Sequence, residues 1–185
     1  MVLKARFLLC LIALTLWTAC SDDTTSKYSN RAPVRAQFRV LGYAELIQAI
    51  GNIGEYATIR RQVENGVTKI HMTCSTGAAF YDFLAESKGF EFGLGGLIVG
   101  TMQGTWDYPY VCYDLACPVC DRADRRLTLD EGLAKCTHCG AWFNMNDKGN
   151  LYKDPTNQTS DSFRKRLYEY QIKYQYGGEY VILSN

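Results

Sequence analysis

Two short cysteine pairs hold the residues best suited to chemistry in this chain: Cys117-Pro118-Val119-Cys120 and Cys136-Thr137-His138-Cys139. A Cys-x-x-Cys turn lets two thiolates bind one ion, and a second pair can complete a tetrahedron of sulfur. Fifteen residues separate Cys120 from Cys136, a spacing typical of two-knuckle metal sites. Cys117, Cys120, Cys136 and Cys139 are therefore the candidate metal ligands.

Three fillings of such a site compete. A single zinc would be structural, because four cysteines leave no open position for water. A lone iron would sit in the same tetrahedron. A [2Fe–2S] cluster held by four cysteines would instead make a one-electron carrier, whose redox partner the sequence does not specify. The third filling is disulfides without metal. Redox-active pairs usually stand at a helix start, where the thiol pKa is lowered, and neither pair here opens a helical pattern. Two tight knuckles converge naturally on one tetrahedron, which favours a single Zn or Fe.

Other chemistry is sparse. The chain has two histidines. His138 lies inside the second pair, as a neighbour of the sulfurs or a donor to them, and His71 falls in a strand pattern with an ordinary structural role. Asp121, Asp124, Asp130 and Glu131 flank the pairs as a solvated rim. No nucleophile–base arrangement is visible, so an enzyme is not expected. Twenty basic residues balance 19 acidic ones at a net charge of +1, without a basic patch. Nucleic acid is therefore not an expected partner.

The elements that must position the cysteines read as mostly β. Thirteen tyrosines and 16 glycines fit strands better than helices. Runs over 55–61 and 68–73 alternate and join through Asn65-Gly66, a hairpin signal. Phe38 to Leu41 and Tyr108 to Leu115 read as strands, Tyr43 to Ala49 as a short helical turn, and Phe80 to Glu86 as a short helix or loop. The glycine-rich run Phe90 to Met102 lacks the Lys-Ser/Thr of a phosphate loop, so it reads as a loop entering a strand at Leu97-Ile98-Val99. Two short strands around Asp130-Glu131-Gly132 separate the knuckles. Trp142-Phe143 and Leu151-Tyr152 flank a turn at Asn146 to Gly149, and a hairpin from Leu167 closes the chain.

The N-terminus has the pattern of an export signal. Lys4 and Arg6 precede an apolar run from Phe7 to Trp17, which is too short for the roughly 20 residues of a membrane span. Ala19-Cys20 is similar to the lipobox of bacterial lipoproteins, in which the cysteine is lipidated, although Trp17 stands where that pattern usually has Leu. Asp22-Asp23 resembles the surface-export signals of Bacteroidetes lipoproteins. This likeness implies a signal peptide over residues 1–19, lipidation at Cys20 and a polar tether over 20–35. One domain over 36–185 would then be held by lipid at the cell envelope, on the outer membrane and facing outward. Cys10 would leave with the signal. Cys74 and Cys112 stand singly among apolar residues and read as buried small hydrophobes, with a bridge between them as the alternative.

From Gly96 to Val181 the order of pieces resembles the Rieske iron–sulfur domain. Strands at Leu97-Ile98-Val99 and Tyr110-Val111-Cys112-Tyr113-Asp114 lead into Cys117-Pro118. Cys136-x-x-Cys139-Gly140-Ala141-Trp142-Phe143 parallels the family's second loop, and Gly149, Pro155 and the terminal hairpin follow. The resemblance implies a β-sandwich or barrel and a [2Fe–2S] cluster held by one Cys and one His from each loop. Here Cys120 and Cys139 stand where those histidines would be. The expected fold is thus all-β with minor helix, a Rieske-like sandwich or barrel carrying a rubredoxin- or zinc-ribbon-like metal subdomain.

Overall fold

A computed structural model describes residues 32–104, 110–154, 166–175 and 177–185. The expected signal peptide, Cys20 and most of the expected tether lie outside the described residues, as does Pro155. Among the described residues the fold is mainly β, with one α-helix and two sheets. None of the described helices is long and apolar enough to cross a membrane.

The chain enters at β1 (Val34–Arg39), whose alternation sends Val34, Ala36 and Phe38 inward. The strand thus begins two residues before Ala36, where the tether was expected to end. Val34 and Ala36 supply apolar side chains to the strand's buried face, so the pattern starts with them. Helix α1 (Ala44–Gly51) follows and buries Leu46, Ala49 and Ile50. The Thr101 hydroxyl donates to the carbonyls of Ala49 and Ile50 at its end, at 3.0 and 3.2 Å.

β2 (Tyr56–Glu64) and β3 (Val67–Cys74) form the hairpin read at Asn65-Gly66, both turn residues having positive φ as such a turn demands. β4 (Gly77–Tyr81) then pairs with β3. Here the structure differs from the short helix or loop expected over 80–86. Gly77 to Tyr81 completes a ladder along β3, Phe80 lies 4.4 Å from the ring of its cross-strand neighbour His71, and only Ala85–Ser87 turns as a 3-10 helix. Cross-strand pairing overrides a local composition that a helix would also tolerate.

β5 (Glu91–Phe92), β6 (Leu97–Thr101), β7 (Tyr110–Asp114), β12 (Glu169–Lys173) and β13 (Tyr180–Ser184) complete the large sheet, in the order β4-β3-β2-β6-β7-β12-β13-β1-β5. The small sheet comprises β8 (Leu127–Asp130), β9 (Leu133–Cys136), β10 (Trp142–Asn144) and β11 (Asn150–Lys153), in the order β11-β10-β9-β8. It is an insertion: the chain leaves the large sheet at β7 and returns at β12, and these two strands pair.

The central strands are buried on both faces. Ile59, Leu97, Val99 and Cys112 face one apolar cluster together with Phe38 of β1 and Phe92 of β5, strands from the far end of the sheet order. The sheet therefore coils on itself. Ile98, Val111 and Tyr113 face the opposite way, into a second cluster with Leu127, Phe143, Cys117 and Cys136. This explains the uninterrupted apolar run Leu97-Ile98-Val99, since a strand covered on both sides has no polar face.

The glycine run has a different purpose from phosphate binding. Asp114, wholly buried, accepts hydrogen bonds from Leu94 N–H at 2.7 Å, Gly95 N–H at 3.0 Å, Ala116 N–H at 2.6 Å and Tyr170 O–H at 2.8 Å. A Cβ on Gly93 would lie 2.5 Å from the Asp114 carboxylate, and one on Gly95 would lie 2.6 Å from Ala116 N. Glycine is the residue that lets the backbone come this close. Burial pushes the Asp114 carboxyl up, while the four donors pull the other way. Replacing Asp114 by Ala leaves those donors without a partner in a dry interior. Urea unfolding of Asp114→Ala at neutral pH is expected to show a loss of about 3 kcal/mol or more. A loss below about 1 kcal/mol would mean that water replaces the carboxylate there.

Candidate metal centre

Each cysteine pair closes a tight turn at one end of the small sheet. In the first, Cys117 N–H donates to Arg125 C=O at 2.8 Å and Asp121 N–H to Cys117 C=O at 2.9 Å. In the second, Cys136 N–H donates to Ala141 C=O at 2.8 Å and Gly140 N–H to Cys136 C=O at 2.9 Å. The two turns share the bond from the residue after the second cysteine back to the first cysteine's carbonyl. Asp121 and Gly140, each just after its second cysteine, have φ of 54° and 75°. Left-handed backbone at that position turns the chain back over the sulfurs, and Asp tolerates it better than most residues.

The two turns meet. Cys117 Sγ lies 3.6 Å from Cys139 Sγ, and Cys120 Sγ 3.7 Å from Cys136 Sγ. All four sulfurs fall within 4.8 Å of one another. A metal–sulfur bond of about 2.3 Å gives a tetrahedron with edges of about 3.8 Å, so this donor set fits one tetrahedral ion. The four cysteines are free of disulfides, and sulfurs of the two knuckles touch one another. The sequence-predicted ligands thus come together as one site able to chelate a single metal.

The electrostatics follow from burial and from the closeness of the sulfurs. Burial pushes the Cys117 thiol far up, and the neighbouring sulfurs add to this. Burial likewise pushes Cys120 up to about 12, and hydrogen bonds with Cys139 and Cys136 work in the same direction. At Cys136 burial also acts upward, but N–H groups of Cys139 and His138 donate to its sulfur and the net shift is downward. Four thiolates would repel one another in this pocket, and a dication with backbone N–H···S contacts offsets that charge. Cys117 and Cys136 are buried, whereas Cys120 and Cys139 are half-buried.

The surroundings are ordered. The His138 ring nitrogen Nδ1 lies 3.6 Å from Cys120 Sγ. His71 is on β3, opposite Arg60 and Phe80, and is not among the clustered ligands. Asp124 forms a two-bond pair with Arg122, at 2.9 and 3.0 Å. Asp130 pairs with Lys135. Lys135 and Lys153 flank the Trp142 ring, with nitrogens 4.3 and 4.8 Å from its centre. Tyr56 O–H of β2 and Gln103 N–H both donate to Asn146 Oδ1, at 2.6 and 2.9 Å, latching the small sheet to the large one. Neither latch was visible in the sequence, since nothing near Asn146 marks it as a long-range acceptor.

No family model, curated protein or solved structure matches this chain. The site must speak through its own chemistry. Of the remaining cysteines, Cys112 is buried and free, as expected, while Cys74 is free but half-buried at the end of β3. Cys74 is paired with Gly77 at the tight turn into β4, where its Sγ contacts the Thr76 hydroxyl at 3.1 Å.

Removing one ligand leaves three thiols and an open corner. Cys136→Ser, or treatment of the protein with a strong chelator, is expected to lower the melting temperature by roughly 10 °C or more. An unchanged melting temperature in both would show that the cluster carries no stabilising ion.

Proposed function

We propose that the chain is a membrane-anchored lipoprotein whose Rieske-like β domain is held together by a single ion, Zn or Fe, bound by Cys117, Cys120, Cys136 and Cys139. The compactness of the four sulfurs, all within 4.8 Å, carries this reading. A two-iron, two-sulfide core standing between the knuckles would hold their sulfurs further apart than one ion does. When bound, the ion supplies a cross-link between two turns that the chain otherwise joins only through the hairpin of β8 and β9.

The Rieske resemblance enters at the level of layout. The strands it required, β6 and β7, pair in register from Leu97↔Asp114 to Thr101↔Tyr110 and run into Cys117. The second knuckle runs into β10, and β12 and β13 pair as the closing hairpin. The meeting of Phe38 and Phe92 with Ile59 and Leu97 in one apolar cluster is what supports the sandwich or barrel of that reading. In this reading the protein is not an enzyme: a closed site of four sulfurs offers no open position to a substrate. The lipid anchor rests on the Ala19-Cys20 sequence, with Cys20 taking the lipid and the domain lying at the cell envelope, on the outer membrane.

A second reading, a [2Fe–2S] electron carrier with a redox partner, is favoured by the half-exposed Cys120 and Cys139, a route by which electrons could reach the surface. Metal analysis and the visible spectrum of protein purified from its own host separate the two. One zinc or one iron per chain, without acid-labile sulfide, is the expected result. Two irons with two sulfides per chain would replace it by the electron carrier.

For the anchor, Cys20→Ala is expected to shift the protein from the membrane fraction to the soluble fraction. Persistence in the membrane fraction would refute lipidation at Cys20.

A further inference from the structure

The large and small sheets enclose a cleft of about 520 Å3. One wall is the outward face of β2 and β3, with Thr58, Arg60 and Thr73, and the other is β8, entered at Arg126. A second cleft, of about 320 Å3, is lined by the glycine run and meets the first at Arg60 and Arg126, which line both.

The two arginines that line both clefts carry like charge and lie close enough for Arg126 to act on Arg60. Arg126 Nε donates to Gly95 C=O at 2.8 Å, and its terminal N–H groups have no partner among the described residues. The Arg60 side chain has no ion pair or hydrogen bond among the described residues, and its stem packs against Gly96. Burial lowers the Arg60 pKa, and the charge of Arg126 lowers it further. His71, directly across from Arg60 on β3, is shifted the same way by burial and then by Arg60. Each of three acids along the clefts has a partner: Glu55 accepts from Ser75, which lines the first cleft with it, Asp130 pairs with Lys135 and Glu91 with Arg35. Glu131 stands at the far rim, on the turn between β8 and β9. A pair of cations held together at a cavity mouth is unfavourable alone and becomes favourable around an anion.

We infer that the junction of these clefts is an oxyanion-binding site, in which Arg60 and Arg126 grip the phosphate or carboxylate group of a small molecule whose remainder lies along Thr58 and Thr73. Planar guanidiniums match both oxyanions through paired N–H bonds. The site is independent of which metal fills the sulfur cluster, so it stands or falls apart from the proposed function.

Thermal melts of the full chain, as purified with its metal, test the inference in chloride, phosphate and succinate at one pH and one ionic strength. Phosphate or succinate at about ten times its dissociation constant is expected to raise the melting temperature by roughly 3–6 °C over chloride. A larger rise with phosphate assigns a phosphate ligand, and a larger rise with succinate assigns a carboxylate. Arg60→Gln is expected to melt no lower than the unmodified protein in chloride, because a repulsion is relieved, and to lose the anion-specific rise. Arg39→Gln, at an exposed pair with Glu179, is expected to keep it. Arg126→Gln also loses its bond to Gly95, so Arg60→Gln, which breaks no bond, decides. Absence of any rise in the unmodified protein, or an equal rise in Arg60→Gln, would overturn the inference.

Discussion

The Asp114 carboxylate lies out of reach of solvent and holds four donors at once, two on each oxygen. Those donors belong to three different parts of the chain: the loop before β6, the residue that leads into the first knuckle, and β12. An ionisable group so placed is costly unless every lone pair is used. Its satisfaction ties together the place where the chain leaves the large sheet and the place where it returns. Cys117 lies three residues beyond Asp114, and Ala116 between them is fixed from its own N–H. The first knuckle therefore starts from a clamped point.

From that point the layout follows a simple logic of faces. The middle strands of the large sheet send alternate side chains into two apolar clusters, one inside the coil of the sheet and one beneath the small sheet. The second cluster includes two of the four clustered cysteines, Cys117 and Cys136. The candidate ligands and the hydrophobic packing are thus parts of one contiguous interior, shared with Phe143, Leu127 and Tyr113. The half-buried pair, Cys120 and Cys139, faces the rim where His138 stands.

Much of this was legible in the residues. The knuckles, their spacing and the hairpins at Asn65-Gly66 and Glu131-Gly132 are local signals, and local signals survive folding when turn chemistry and strand alternation agree. Strand β4 was missed because Gly-Ala-Ala-Phe-Tyr is locally neutral and its ladder with β3 decides. The order of the large sheet was not legible either, since pairings such as β1 with β13 join residues at opposite ends of the described chain. Asp114 did leave a trace: an acid closing an apolar strand, with glycines some 20 residues earlier. Only the fold shows that the two features are one. Arg60 and Arg126 left none, because an arginine in or beside a strand pattern is ordinary until two of them line one cavity.

The insertion of the small sheet between paired strands has a further consequence. Tyr113 sits opposite Glu169 and Cys112 opposite Tyr170, so both ends of the inserted segment are neighbours in space. A module whose entry and exit touch can be lost, lengthened or exchanged without re-threading its host. The large sheet would need only a short loop to close the gap, together with polar residues at Ile98, Val111 and Tyr113, the apolar side chains the module now shelters. The four-cysteine cluster in this architecture therefore sits in a cassette, carried by a host that keeps its own core, helix and closing hairpin.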